Sequence, residues 1–201
     1  MALYQIKENS LQSVPDTSLV QEGIHEAEDL QFMLREKIDI VSPDTLVISE
    51  EYSRWDDSSR RIDLLGVDQD ANLVVIELKR TQDGGHMELQ ALRYAAMVSA
   101  LTFDQAVDAY REFIETKEPD ADPRQRILDF LQWAEPDEAR FARDVRIVLV
   151  SQGFSKEITT TVMWLNERGV DIRCVRLEAY KREASVFLDI QQIIVTTQAP
   201  S

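Results

Sequence analysis

The sequence is poor in the residues that staple chains together. It has one cysteine in 201 residues, Cys174. No intramolecular disulfide can form, and no cysteine-rich zinc site can be built. Such usage fits a reducing compartment, and a cytoplasmic location is the expectation. No apolar run approaches the roughly 20 residues that a membrane span needs. The first ten residues (MALYQIKENS) lack the basic flank and apolar core of a secretory signal. No Gly-x-Ser-x-Gly and no Gly-x-x-x-x-Gly-Lys occurs, so a serine-hydrolase elbow and a phosphate-binding loop are both missing. Basic residues are short against acidic ones, 22 against 37, which leaves a net charge of −15. That balance speaks against a protein that coats nucleic acid by bulk attraction. What remains is 44% hydrophobic and 29% charged, a globular composition at the length of one domain.

The periodicity gives an ordered series of elements. Residues 1–19 are turn-rich around Pro15 and Asp16, with at most a short strand at 3–6. Residues 22–38 read as a helix through Leu30, Met33, Leu34 and Ile38, closed by Pro43. Three strands follow at 45–51 (TLVISEE), 61–67 (RIDLLGV) and 73–79 (LVVIELK), the last two joined by a polar, hairpin-like link, DQDAN. These runs are apolar on both alternations, which predicts a sheet covered on both faces. After Gly84 and Gly85 come a helix at 86–101, an amphipathic helix at 103–116, a Pro/Asp loop at 119–123 and a helix at 126–133. A strand at 145–151, a helix near 158–168, a strand at 170–177 and an apolar run at 186–195 complete the series, with a loose tail at 196–201. The expectation is an α/β fold with a mixed central sheet flanked by helices.

Chemistry concentrates on the second and third of these strands. Alternation sets Glu77 and Lys79 on one face above Val75, and Asp63 on the adjoining strand in step with Leu65 and Val67. Two carboxylates and an ammonium then converge at the strand ends. Charges placed there must pair or hold a metal, and hard oxygen ligands suit Mg²⁺ or Mn²⁺. An acid-x-Lys triplet alone is uninformative, since Glu115-Thr116-Lys117 is another, on a helix where residues two apart diverge. The informative arrangement is a strand-borne Asp, a short turn and a strand-borne Glu-x-Lys.

Residues 60–79 (RRIDLLGVDQDANLVVIELK), followed by Gln90-Ala91-Leu92-Arg93-Tyr94, resemble the core of the PD-(D/E)xK nuclease superfamily, and within it RecB-type and NucS-type DNA endonucleases. The resemblance covers about residues 22–100, and Ile62 stands where the family's name has proline. It implies a restriction-endonuclease-like αβββαβ core, about 22–101 plus 145–195, with a helical insertion at about 103–135 and extra βαβ-type elements at the C-terminal end. All of this would form a single nuclease-like domain over 1–201. It further implies that Asp63, Glu77 and the Leu78 carbonyl ligate Mg²⁺ or Mn²⁺, and that Lys79 serves the attacking water. Gln90 and Tyr94 would support the site or the bound strand. The family's acid on the first helix falls on Glu26, which extends the apolar stripe of Leu30 and Leu34, in preference to Glu28.

Each assignment has a plainer alternative. Asp63, Glu77 and Lys79 also suit a structural ion-pair network, and Gln90 with Tyr94 a helix pair packed on the sheet. Arg61 is either a phosphate contact or the partner of a nearby acid. His86, at a helix start, is either an anion contact or an exposed capping residue; His25 beside Glu26 does not make a metal site. Cys174, Phe130 and Trp133 read as core, the two aromatics alternatively as a dimer contact. The apolar stripe within 103–133 suits either a homodimer or packing on its own sheet. Function then divides between a metal-dependent DNA endonuclease and a non-catalytic module that binds nucleic acid or a protein on the same fold. The charge itself is uneven. Residues 60–93 hold five bases and six acids, whereas 103–145 hold 12 acids and 6 bases. The motif region is near neutral, which readmits DNA as a partner, though not as one bound indiscriminately.

Overall fold

Residues 2–54, 61–80 and 85–194 are described by a computed structural model of the chain. Arg60, Gly84, Val195 and the tail 196–201 lie outside them. Along the chain come β1 (Leu3–Lys7), β2 (Ser10–Val14), β3 (Asp16–Thr17), and a π-helical turn (Glu26–Leu30) that runs into α1 (Gln31–Glu36). A 3-10 turn (Ile38–Ile40), β4 (Thr45–Tyr52), β5 (Ile62–Asp68), β6 (Leu73–Lys79), α2 (Met87–Val98), α3 (Phe103–Ile114) and α4 (Pro123–Leu131) follow. The series ends with β7 (Val145–Ser151), α5 (Lys156–Asn166), β8 (Asp171–Arg182) and β9 (Ser185–Ile194). From the first helix to β7 this is the expected αβββα order with a helical insertion and a further strand.

The β-branched runs form one seven-stranded mixed sheet, in the order β3-β8-β7-β6-β5-β4 with β9 also on β8. β4, β5 and β6 are antiparallel neighbours, whereas β6, β7 and β8 run parallel. The parallel strands bring Lys79 beside Ser151, so the functional end of β6 lies at the strands' carboxyl edge. Both faces are covered, as the two-sided apolar runs require. On one face Leu19, Leu30, Leu34 and Val41 pack over Leu64, Val74, Ile76, Leu78, Val148 and Val150. On the other, α2 to α5 cover Leu65, Val67, Leu73, Val75, Ile147, Leu149 and Cys174. Each fully buried aliphatic side chain contributes about 1.5–3 kcal/mol to this arrangement.

Two local features fix the β5–β6 hairpin that carries the site. Asp68 closes its turn by accepting the N–H groups of Asp70 (3.0 Å) and Asn72 (2.9 Å) on Oδ1, and Ala71 takes a left-handed φ of 65°. Gly66 lets β4 approach: a Cβ there would stand 2.6 Å from Thr45 Cγ2 and 3.0 Å from the Leu46 carbonyl oxygen.

Several sequence expectations change. The turn-rich 1–19 segment forms the β1–β2 hairpin and the short β3, because Glu8 and Asn9 both adopt left-handed φ and reverse the chain. The helix expected over 22–38 is broken into a π turn, α1 and a 3-10 turn. α4 starts at Pro123, not 126, since Asp122 caps it through Oδ1 and proline suits the first helical position. The stripe on α3 (Phe103, Ala106, Val107, Tyr110, Ile114) is consumed by the chain's own core. No helix among the described residues is long and apolar enough to cross a membrane.

Candidate active site

The β5–β6 ladder stops at Leu64 opposite Ile76, one residue short of Asp63 and Glu77. Beyond that point a side chain replaces the backbone partner: the Leu78 N–H donates to Asp63 Oδ2 at 2.7 Å. Alternation is lost there as well. Ile62 and Leu65 both join the helix-covered core while Leu64 joins the opposite one, so the expected step of Asp63 with Leu65 and Val67 does not continue to the start of β5. On the neighbouring strand Glu51 takes a left-handed φ of 52°, a second break at the same level. N–H and C=O of one strand residue point the same way, so the Leu78 carbonyl faces the side of Asp63.

Glu77 keeps its place above Val75 and is 0% exposed, yet neither of its carboxylate oxygens makes a hydrogen bond among the described residues. Burial, and then the negative charge of Asp63, push its pKa up to about 9, against the opposing pull of Lys79 and of the nearby Asp63 backbone N–H. Asp63 is raised to about 6, chiefly by burial, while the Leu78 N–H and Lys79 pull the other way. A buried carboxylate with no partner is expensive. The donors here, two carboxylates and a nearby strand carbonyl, fit a hard divalent cation. Among the described residues no group of three or more His, Cys, Asp or Glu side chains comes together to hold a metal; the acid set is a pair.

Glu26 is committed elsewhere. Its Oε1 accepts from Lys79 Nζ at 3.0 Å and its Oε2 from the Arg80 N–H at 2.8 Å, while Arg80 Nη1 donates to the Ile24 carbonyl at 3.3 Å. The π turn is thereby fastened to the end of β6. Burial works against the Lys79 ammonium, but its bond to Glu26 and the charges of Glu26, Asp63 and Glu77 hold its pKa above the usual lysine value. Glu28 is exposed and takes no part.

Beside this cluster lies a cleft of about 700 Å³, lined by Glu51, Arg61, His86, Leu89, Gln90, Arg93 and Tyr94. It reaches the acid pair through Glu51, whose charge bears on Asp63, and through Arg61, two residues before Asp63. Gln90 Nε2 donates to Tyr94 Oη at 3.2 Å, one helical turn on, and the Tyr94 ring is buried against the sheet. Arg61 lies 3.6 Å from Glu51 and is 59% exposed in its side chain, so this pair is loose. His86 is exposed and its side chain makes no capping bond; it lines the cleft. Arg93, Glu51 and Arg80 were not singled out by the motif. His86, Gln90 and Arg93 stand at i, i+4 and i+7 on one helix face, a spacing that would have revealed Arg93. Nothing in the sequence signals Glu51, which depends on the break in β4. Cys174, Trp133 and Phe130 belong to the core or pack against it, and the decoy Glu115 is exposed at the end of α3.

No protein-family model and no curated protein matches the chain. Among solved structures it is similar to the EndoMS-dsDNA2 complex, with 19% identity over 73% of this chain and 43% of that one, at a TM-score of 0.39. It is similar to a repair endonuclease from Pyrococcus abyssi, with 20% identity over 73% and 45%, TM-score 0.39. EndoMS in apo form gives 16% identity over 83% and 49%, TM-score 0.37. The chain spans less than half the length of each of these proteins.

Proposed function

We propose that the chain is a metal-dependent DNA endonuclease of the PD-(D/E)xK type. The observation that carries this reading is the Glu77 carboxylate, fully buried, without a hydrogen-bond partner, and set beside Asp63. A structural network would pair such a group; a cation-binding pair explains why it is left unpaired. Asp63, Glu77 and the Leu78 carbonyl are the groups that would hold Mg²⁺ or Mn²⁺. When bound, that ion would polarise a phosphate oxygen and lower the pKa of a water.

The remaining work falls to the chain's own residues. Lys79 brings an ammonium within electrostatic reach of Asp63 and Glu77, where it would orient the attacking water and offset charge developing on the phosphate. Glu26 acts as a positioning residue: it grips both the Lys79 ammonium and the next backbone N–H, so the lysine cannot swing away. Arg61, His86 and Arg93 supply cationic or hydrogen-bonding contacts to a phosphodiester backbone in the cleft. Gln90 and Tyr94 brace its wall. Within α3, α4 and the loop between them, Asp104, Asp108, Glu112 and Glu118 pair with Arg124, Arg111, Arg54 and Arg126. These pairings reduce the repulsion that the acidic insertion would exert on DNA.

The test is cleavage of plasmid, single-stranded, branched and mismatched DNA with Mn²⁺ or Mg²⁺, run beside Lys79→Ala and Asp63→Ala. Metal-dependent cutting by the parent and none by either variant is expected. Variants that cut as well as the parent would remove the site assignment, and a parent that binds DNA without cutting it would favour the non-catalytic module.

A further inference from the structure

One carboxylate in the cleft is out of keeping with the rest of its lining. Arg61, His86, Gln90 and Arg93 all bring hydrogen-bond donors to it, and Leu89, 48% exposed, adds an apolar wall. Glu51 is the single acid among the described lining residues. A carboxylate repels a phosphodiester backbone, so a cleft that took phosphate alone would gain by omitting it. The volume of about 700 Å³ also exceeds what a phosphate group fills.

The backbone at Glu51 departs from its strand to place that side chain. Glu50 pairs with Leu64 and Tyr52 with Ile62, so Glu51 stands across from Asp63. There it holds a left-handed φ of 52°, a conformation that costs stability in any residue but glycine. Its contact with Arg61 does not offset that cost. The two charged groups are 3.6 Å apart, and their side chains are 38% and 59% exposed. Exposed pairs at such a range contribute little. A strained residue whose only ion pair is weak points to a use for its carboxylate in the cleft.

We infer that Glu51 is a specificity-determining residue: its carboxylate accepts from the exocyclic amino group of the base next to the bound phosphate, so the cleft takes cytosine or adenine in preference to thymine or uracil. An ionised carboxylate accepts hydrogen bonds and donates none. Cytosine presents an amino group at N4 and adenine at N6, whereas thymine and uracil present a carbonyl at that place. A carbonyl facing Glu51 sets two acceptors against each other. Arg61, His86 and Arg93 hold the backbone on either side, and Leu89 gives the base an apolar surface. The inference rests on the reading of this cleft as a DNA site, but not on cutting.

Fluorescence anisotropy of the full chain with two single strands of equal length, one of deoxycytidine and one of deoxyuridine, tests the inference. Ca²⁺ replaces Mn²⁺ so that the strand is held and not cut. The two bases share size and shape and differ in the amino or carbonyl group at position 4 and in the proton on N3. The parent should bind the cytosine strand about 5-fold or more tightly. Glu51→Gly should bring that ratio to about one by binding the uracil strand better, and it should melt no lower than the parent, because glycine accepts the left-handed backbone. If it melts early, Glu51→Gln is read in its place with the same ratio expected, since an amide donates as well as accepts. Arg61→Ala should weaken both strands alike and keep the ratio. A parent that binds neither strand, one without preference, or a preference that survives both Glu51 variants overturns the inference. Cleavage with Mn²⁺ is scored separately. Cutting without a Glu51-dependent preference removes this inference and leaves the nuclease reading, whereas the preference in a parent that never cuts supports it and removes the catalytic reading.

Discussion

The β5–β6 hairpin carries a buried acid at each end, Asp68 at its turn and Glu77 at its open end, and the two are treated in opposite ways. Asp68, 1% exposed, has every oxygen occupied: Oδ1 takes two backbone N–H groups, and Oδ2 takes the Asn72 amide at 3.3 Å and Arg146 Nη2 at 3.0 Å. Arg146 in turn holds Asp171 at 3.0 Å, so the far end of the sheet is a closed network. At the near end Asp63 keeps one backbone N–H, while Glu77, across the hairpin, makes no well-formed hydrogen bond among the described residues and has only the nearby Asp63 backbone and the Lys79 charge in its favour. A fold that can satisfy one buried acid so completely has left another bare. The first arrangement serves the turn; the second is costly as structure and makes sense as a site for a cation.

Substitutions that exchange the roles of the two ends would break this comparison. The largest effect is expected from Glu77→Gln, which should cut metal-dependent DNA cleavage by roughly 1,000-fold or more while leaving the melting temperature unchanged or higher. Loss of stability there would make Glu77 a structural acid like Asp68. Conversely, Asp68→Ala should cost about 3 kcal/mol of stability in urea unfolding, since it strips a buried arginine of one partner and opens the turn. The cleavage rate of its folded fraction should match the parent's. Midway along the same strand, Gly66→Ala should cost about 1–3 kcal/mol by forcing β4 away; a neutral result would show that the strands yield easily.

The smallest effect is a slope with pH. Glu77 has a folded-state pKa above that of a free carboxylate, so the native state holds its proton longer than the unfolded state does. Its contribution is intact below the ordinary carboxylate range and is lost as pH rises toward about 9. Asp63 adds the same sign over a window ending near 6. Thermal melts should therefore show a decline across this range that is reduced in Glu77→Gln. An unchanged slope in that variant would place the titration on other groups.

Strand chemistry was the most legible layer of the sequence. β6 and β7 fall on the predicted residues because their apolar runs are uninterrupted and bounded by breakers. Asp63, Glu77, Lys79 and Glu26 were named from spacing and resemblance, and the fold gathers them at one strand end. What spacing does not carry is irregular backbone. Glu26 reaches Lys79 from a π turn, Asp63 sits where alternation fails, and Glu51 enters the cleft through a left-handed residue inside β4. Periodicity assumes regular elements, and these three positions are where regularity gives way. The start of α4 was misread for a different reason: Asp122-Pro123 is equally a loop signal and a helix cap, and only packing decides.

Calorimetric titration of Mn²⁺ into the parent, Glu77→Gln and Asp68→Asn tests the central claim most directly. Saturable binding by the parent and by Asp68→Asn, lost in Glu77→Gln, is the predicted result. A parent that takes up no Mn²⁺, or a Glu77→Gln variant that binds it as the parent does, would contradict the account.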